Sequence, residues 1–154
     1  MKKSHALRIA AVVLLAALAF PAAAWAKDGH SLKDTAKGFL AAYTAGDVNA
    51  AKALALTHEQ LSAITSRAPD KASYDKALED FLKEGKLPAG VTLTGFTIED
   101  VMYLPGKDSE KRKKDLTIAV VKPVFSDAKL NARWEWQSLY FIRTDDGWRL
   151  SIKK

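Results

Sequence analysis

The chain reads as an α+β protein in which N-terminal helices pack on a curved antiparallel sheet. Three observations predict this. Residues 32–43 and 74–82 repeat apolar side chains at helical spacing. From Val91 onward the composition turns to β-branched and aromatic residues with period-two stretches. The two patterns are segregated along the chain and do not alternate, which sets helices against one sheet face rather than weaving them into parallel βαβ units.

The first segment carries Lys2, Lys3 and Arg8, an apolar run from Ile9 to Phe20, and Ala24-Trp25-Ala26. A basic start, a short apolar stretch and small residues at a cleavage point are the parts of a secretory signal peptide, so residues 1–26 are expected to leave and a single domain, 27–154, to remain. The run is shorter than the roughly 20 residues a membrane-spanning helix needs, so no transmembrane anchor is expected after cleavage. The expected location is exported, periplasmic or secreted. With no twin-arginine pair before the apolar run, export of an already folded, cofactor-loaded chain is not indicated, and no cofactor is predicted.

Beyond the leader, Ser31 with Asp34 forms an N-cap pattern, and Leu32, Ala36, Phe39, Leu40 and Tyr43 form the buried stripe of a first helix that Gly46 closes. Asp47 caps a second helix expected from Val48 to about Leu56, whose small residues allow a close helical hairpin. Thr57 and Gln60 make a capping-box pair for a third helix carrying Leu61 and Ile64, which Pro69 interrupts. Asp70 opens a fourth, with Tyr74, Ala77, Leu78, Phe81 and Leu82 on its inner face and Gly85 at its end.

Val91 to Leu104 reads as a strand, with Gly95 and the Glu99-Asp100 pair marking a bulge or bend. Pro105 to Lys114 is a polar hairpin loop leading to a strand over roughly 116–125. Pro123 lacks a ladder donor, so that strand must lie at an edge there or be broken by a bulge. Ala132 to Thr144 reads as one long strand, joined through Asp145-Asp146-Gly147 to a closing strand from Trp148. Unbroken alternation over 132–144 puts Trp134, Trp136, Ser138, Tyr140 and Ile142 on a buried face and Leu139 and Phe141 on the opposite one.

The helix Phe39-Leu40-Tyr43 followed by the corner Ala45-Gly46-Asp47-Val48, and the terminal Asp146-Gly147-Trp148-Arg149-Leu150 strand pair, resemble the nuclear transport factor 2-like superfamily. The resemblance covers most of residues 31–154 and implies a cone-like, cystatin-like α+β barrel with a hydrophobic pocket, frequently dimeric through the sheet. Its members include ketosteroid isomerase, SnoaL-like cyclases, dehydratases and non-catalytic association domains, so the fold leaves the function to be argued from the site.

Bulk chemistry narrows the field. The chain has 24 Lys and Arg against 18 Asp and Glu, but loss of Lys2, Lys3 and Arg8 would leave 21 against 18. That +3 gives no case for a nucleic-acid partner. Cysteine is absent, which excludes thiol catalysis, thiolate metal sites and disulfides. Only His30 and His58 follow the leader, without the close pairing a metal site needs, so no metal is predicted.

Phe39, Tyr43, Trp134, Trp136 and Tyr140 are the candidate lining of an aromatic ligand pocket, with plain core packing as the alternative. Leu139 and Phe141 are the candidate interface for a second subunit. For proton abstraction the remaining candidates are Asp100, beside a bend, as base and Tyr140 as donor. The run Glu110-Lys111-Arg112-Lys113-Lys114 is the one concentrated basic patch, diluted by Asp108, Glu110 and Asp115, and reads as a solvated hairpin tip. The leading expectation is an exported, non-catalytic binding or accessory module for a small apolar ligand or an envelope protein. The alternative is an isomerase, cyclase or dehydratase of the kind the resemblance implies.

Overall fold

The computed structural model of the protein describes residues 11–14 and 31–152. The expected cleavage point after Ala26, and His30, lie outside the described residues. The helices are α1 (Leu32–Ala45), α2 (Val48–Ala53), α3 (His58–Ile64) and α4 (Lys71–Lys83). The strands are β1 (Ala11–Leu14), β2 (Val91–Leu104), β3 (Leu116–Asp127), β4 (Ala132–Glu135), β5 (Leu139–Thr144) and β6 (Gly147–Ser151). The class is α+β, with the helices ahead of the sheet proper.

Each helix starts where its side-chain acceptor allows. Ser31 accepts from Asp34 N, Asp47 from Ala50 N and Asp70 from Ser73 N. Thr57 and Gln60 complete a reciprocal capping box at α3. Gly46 ends α1 at φ 76°, a left-handed conformation that favours glycine. α2 stops at Ala53, earlier than expected. The chain then runs alongside β6, with Leu56 N donating to Leu150 O and Leu150 N to Leu54 O, both at 2.8 Å. Backbone bonds to the closing strand outweigh another helical turn there.

The sheet is antiparallel, ordered β1-β2-β3-β5-β6, with β4 also pairing β3. β2 and β3 pair from Val91↔Asp127 to Leu104↔Leu116, with register shifts at Leu93/Gly95 and Ile98/Asp100. These are the irregularities that Gly95 and Glu99-Asp100 signalled.

The expected long strand 132–144 is two strands. Val124 stands opposite Glu135 in β4, and Val121 opposite Leu139 in β5. Three residues, 136–138, therefore face two, 122–123, and the extra residue reverses the alternation. Pro123 sits opposite this break, and its carbonyl accepts from Trp136 N at 3.0 Å. A strand residue's N–H and C=O point to the same side, so the donor that proline lacks would also have faced the break.

The reversal corrects the face assignment for β5. Leu139 is 6 % exposed and Phe141 fully buried, so neither forms an outer patch. They join Phe96, Ala119, Val121 and Leu150 beneath Phe39, Leu40 and Tyr43 of α1 and Leu78 and Leu82 of α4 in the main core. Tyr140 and Ser138 are half-buried. Ile142 is buried in a second cluster, with Leu56, Ile64 and Leu116, so β5 is covered on both faces.

Candidate functional site

The aromatic residues pack on one another. Tyr43 stacks on Phe39 at 5.3 Å between ring centroids and on Phe81 at 5.1 Å. Phe39 meets Phe141 edge-on at 5.8 Å, and Trp136 contacts Tyr43 at 6.3 Å and Phe125 at 5.2 Å. Phe39 and Tyr43 are thus core, each helping to fix its neighbours by ring geometry. Gly85 lets the stack form. A Cβ there would stand 2.2 Å from the Tyr43 ring, so only glycine permits the ring to lie against the backbone after α4.

Two clefts adjoin these aromatic residues, one reaching Phe81 and the other Phe125 and Trp136. The larger, about 560 Å³, lies between α4 and the adjoining parts of β5 and β6. Ala77, Phe81, Leu139 and Ile152 supply apolar surface, Tyr140 an aromatic ring with a hydroxyl, and Asp80, Glu84, Gln137, Ser138 and Ser151 polar groups. The smaller, about 380 Å³, runs past Leu87, Pro88, Val91, Phe125 and Trp136. Glu84 and Gln137 line both clefts. Burial, with a smaller contribution from the Glu84 carboxylate, pushes the Tyr43 hydroxyl up to about 12, so it stays protonated beside that carboxylate at neutral pH.

The five residues expected to line a pocket therefore separate. Tyr140 lines the larger cleft and Trp136 the smaller, while Phe39 and Tyr43 form the packed wall behind them. Trp134 stands in β4 opposite Phe125, and its side chain is outside the described ones. Phe81, Glu84, Gln137 and Ile152 were not singled out from the sequence. Phe81 belongs to a helical stripe that reads as core, Glu84 to a helix end, and Gln137 to the break that alternation hid.

Tyr140 lines the larger of these two clefts, and Asp100 lines neither. Asp100 is exposed, and its Oδ1 accepts from Val101 N at 2.8 Å. It pairs with Val120, which pairs with Tyr140, so two strand spacings, about 10 Å, separate their backbones. A base and an oxyanion donor acting on one small substrate must both come within hydrogen-bond reach of it. Two residues along β3 from Val120, the Lys122 Nζ lies 3.1 Å from Glu99 and 3.2 Å from Glu135. Hydrogen bonds to these two carboxylates raise the lysine above its ordinary value, which suits a cross-strand tie over β2, β3 and β4.

His58 is placed by α3, where its Nε2 lies 2.8 Å from the Pro69 carbonyl, to which an Nε2–H would donate. Its ring lies 6.0 Å from Tyr74, whose hydroxyl donates to Leu56 O at 2.7 Å. This is a local tie between α3 and the start of α4. Among the described residues no three His, Cys, Asp or Glu side chains gather as metal ligands. No described helix is long and apolar enough to cross a membrane.

Comparison with protein-family models, curated proteins and solved structures gives no match. The functional reading therefore rests on the geometry of the clefts.

Proposed function

We propose that the protein is an exported, non-catalytic binding module of the nuclear transport factor 2-like kind, taking a small ligand with an apolar body into the cleft between α4, β5 and β6. One observation carries this reading: a cleft of about 560 Å³ is lined by the apolar Phe81, Leu139 and Ile152 together with the polar residues Tyr140, Gln137, Ser138 and Ser151. That combination suits a ligand held by burial of its body and oriented by a few hydrogen bonds. Asp100, the base candidate read from the sequence, is not among the residues lining this cleft, and the carboxylates that are, Asp80 and Glu84, serve in this reading as hydrogen-bond acceptors for the ligand. Asp80 and Glu84 at the cleft favour hydroxyl or amine groups on the ligand over carboxylates.

A fluorescent apolar probe, N-phenylnaphthylamine, tests this. The reading predicts saturable binding that Ala77→Trp, which fills the cleft, weakens at least about tenfold, a loss of roughly 1.4 kcal/mol. Unsaturable binding, or an Ala77→Trp variant of parental affinity and unchanged fold, rejects the cleft.

A further inference from the structure

The loop joining β2 to β3 holds Lys107, Lys111, Arg112, Lys113 and Lys114 against Asp108, Glu110 and Asp115. It is fastened to the end of α3. Ser66 N donates to Lys111 O at 2.9 Å and Lys113 N to Ile64 O at 3.0 Å. The Thr65 hydroxyl donates to Lys111 O at 3.0 Å, and Lys113 Nζ to Ser62 O at 2.7 Å. The loop's conformation is thereby set before any partner arrives, while Lys111 and Lys114 remain exposed, as does Arg67 just beyond the pinned segment.

One of the diluting acids is engaged within the hairpin. Asp115 accepts from the Tyr103 hydroxyl at 2.5 Å and from Gly106 N at 2.7 Å. The first of these bonds also ties the Tyr103 ring to the base of the basic loop. Among the described residues the exposed large apolar side chains are Val101, Tyr103 and Leu130, at 51 %, 62 % and 74 %. Val101 and Tyr103 both stand on the β2 arm of this hairpin. Cations in the loop, with exposed apolar and tyrosine side chains along the β2 arm that leads into it, match the interface of an anionic bilayer, where the surface potential attracts lysine and tyrosine rests at headgroup level. A soluble polyanion would meet the cations and leave Val101 in water.

We propose that the end of the β2–β3 hairpin docks the protein peripherally on an anionic phospholipid bilayer. The full chain and its variants are compared by co-sedimentation with phosphatidylcholine vesicles with and without phosphatidylglycerol. The Ile9–Phe20 run is common to all of them, so the differences between them carry the result.

The expected result is that the variants lose a salt-sensitive part of the parental binding that phosphatidylglycerol supplies. Lys111→Gln/Lys114→Gln should weaken it about thirtyfold, at roughly a factor of five per lysine. Val101→Ser should weaken it at least about threefold. Both variants leave the anchoring bonds of Lys113 in place, and circular dichroism and the urea midpoint check their fold. Parental affinity of the double lysine variant for phosphatidylglycerol vesicles, an equal loss by that variant on neutral and anionic vesicles, or a Val101→Ser variant of parental affinity together with equally tight heparin binding each overturns the proposal. The last outcome would identify a polyanion surface instead.

Discussion

Truncating Phe141 to alanine puts the reversal of alternation at residues 136–138 to a direct test. If β4 and β5 were one regular strand, Phe141 would face outward and its loss would cost little. In the structure it is fully buried, in register with Ala119 and Leu150 and edge-on to Phe39 at 5.8 Å. Removing a buried phenyl ring loses its transfer free energy and leaves a cavity, about 3–5 kcal/mol in all. For a domain of this size that lowers Tm by roughly 10–20 °C. The matched control is Tyr140→Ala, one residue away and half-buried, for which about 1–2 kcal/mol is expected. Urea unfolding followed by tryptophan fluorescence gives both values, and a double-mutant cycle with Phe39→Ala should show a coupling of about 0.5–1.5 kcal/mol. A Phe141→Ala cost under about 1 kcal/mol, with Tyr140→Ala the more damaging, would refute the reversal.

Three further outcomes follow from the same geometry. Gly85→Ala drives a Cβ to 2.2 Å from a ring stacked between Phe39 and Phe81, and should cost about 2–3 kcal/mol in urea unfolding. Burial raises Tyr43 and Tyr74 to about 12. Both side chains therefore favour folding fully below the unfolded value near 10, and their contribution should be lost as pH rises from about 10 to 12. Tyr43→Phe and Tyr74→Phe should each flatten that alkaline decline in unfolding free energy measured against pH. Thr57→Ala removes one half of the α3 capping box and should lower stability by about 1 kcal/mol, read from the shift in urea midpoint.

Most of the local structure was legible in the sequence because local chemistry dictates it. Ser31, Asp47, Thr57 and Asp70 open their helices because each supplies the acceptor that the first-turn N–H groups lack. Gly95 and Glu99 fall at the β2 irregularities because a missing side chain and a polar pair interrupt the run there. The inner face of β5 is not legible from its own residues, because both alternations of residues 132–144 contain large apolar residues and period alone cannot choose between them. The clue lay on the neighbouring strand. Pro123 called for a bulge or an edge in β3, and the extra residue appeared in the partner opposite it. The clefts were illegible for a different reason: α4 meets β5 and β6 only in the folded chain, and Glu84, Gln137 and Ile152 carry no motif.

The most direct measurement of the central claim is a map of backbone amide shifts as N-phenylnaphthylamine is titrated into isotopically labelled protein. The binding-module account predicts that the largest changes fall on residues 77–84, 137–140 and 151–152, around the larger cleft. Changes concentrated elsewhere, or none at saturating probe, would contradict it.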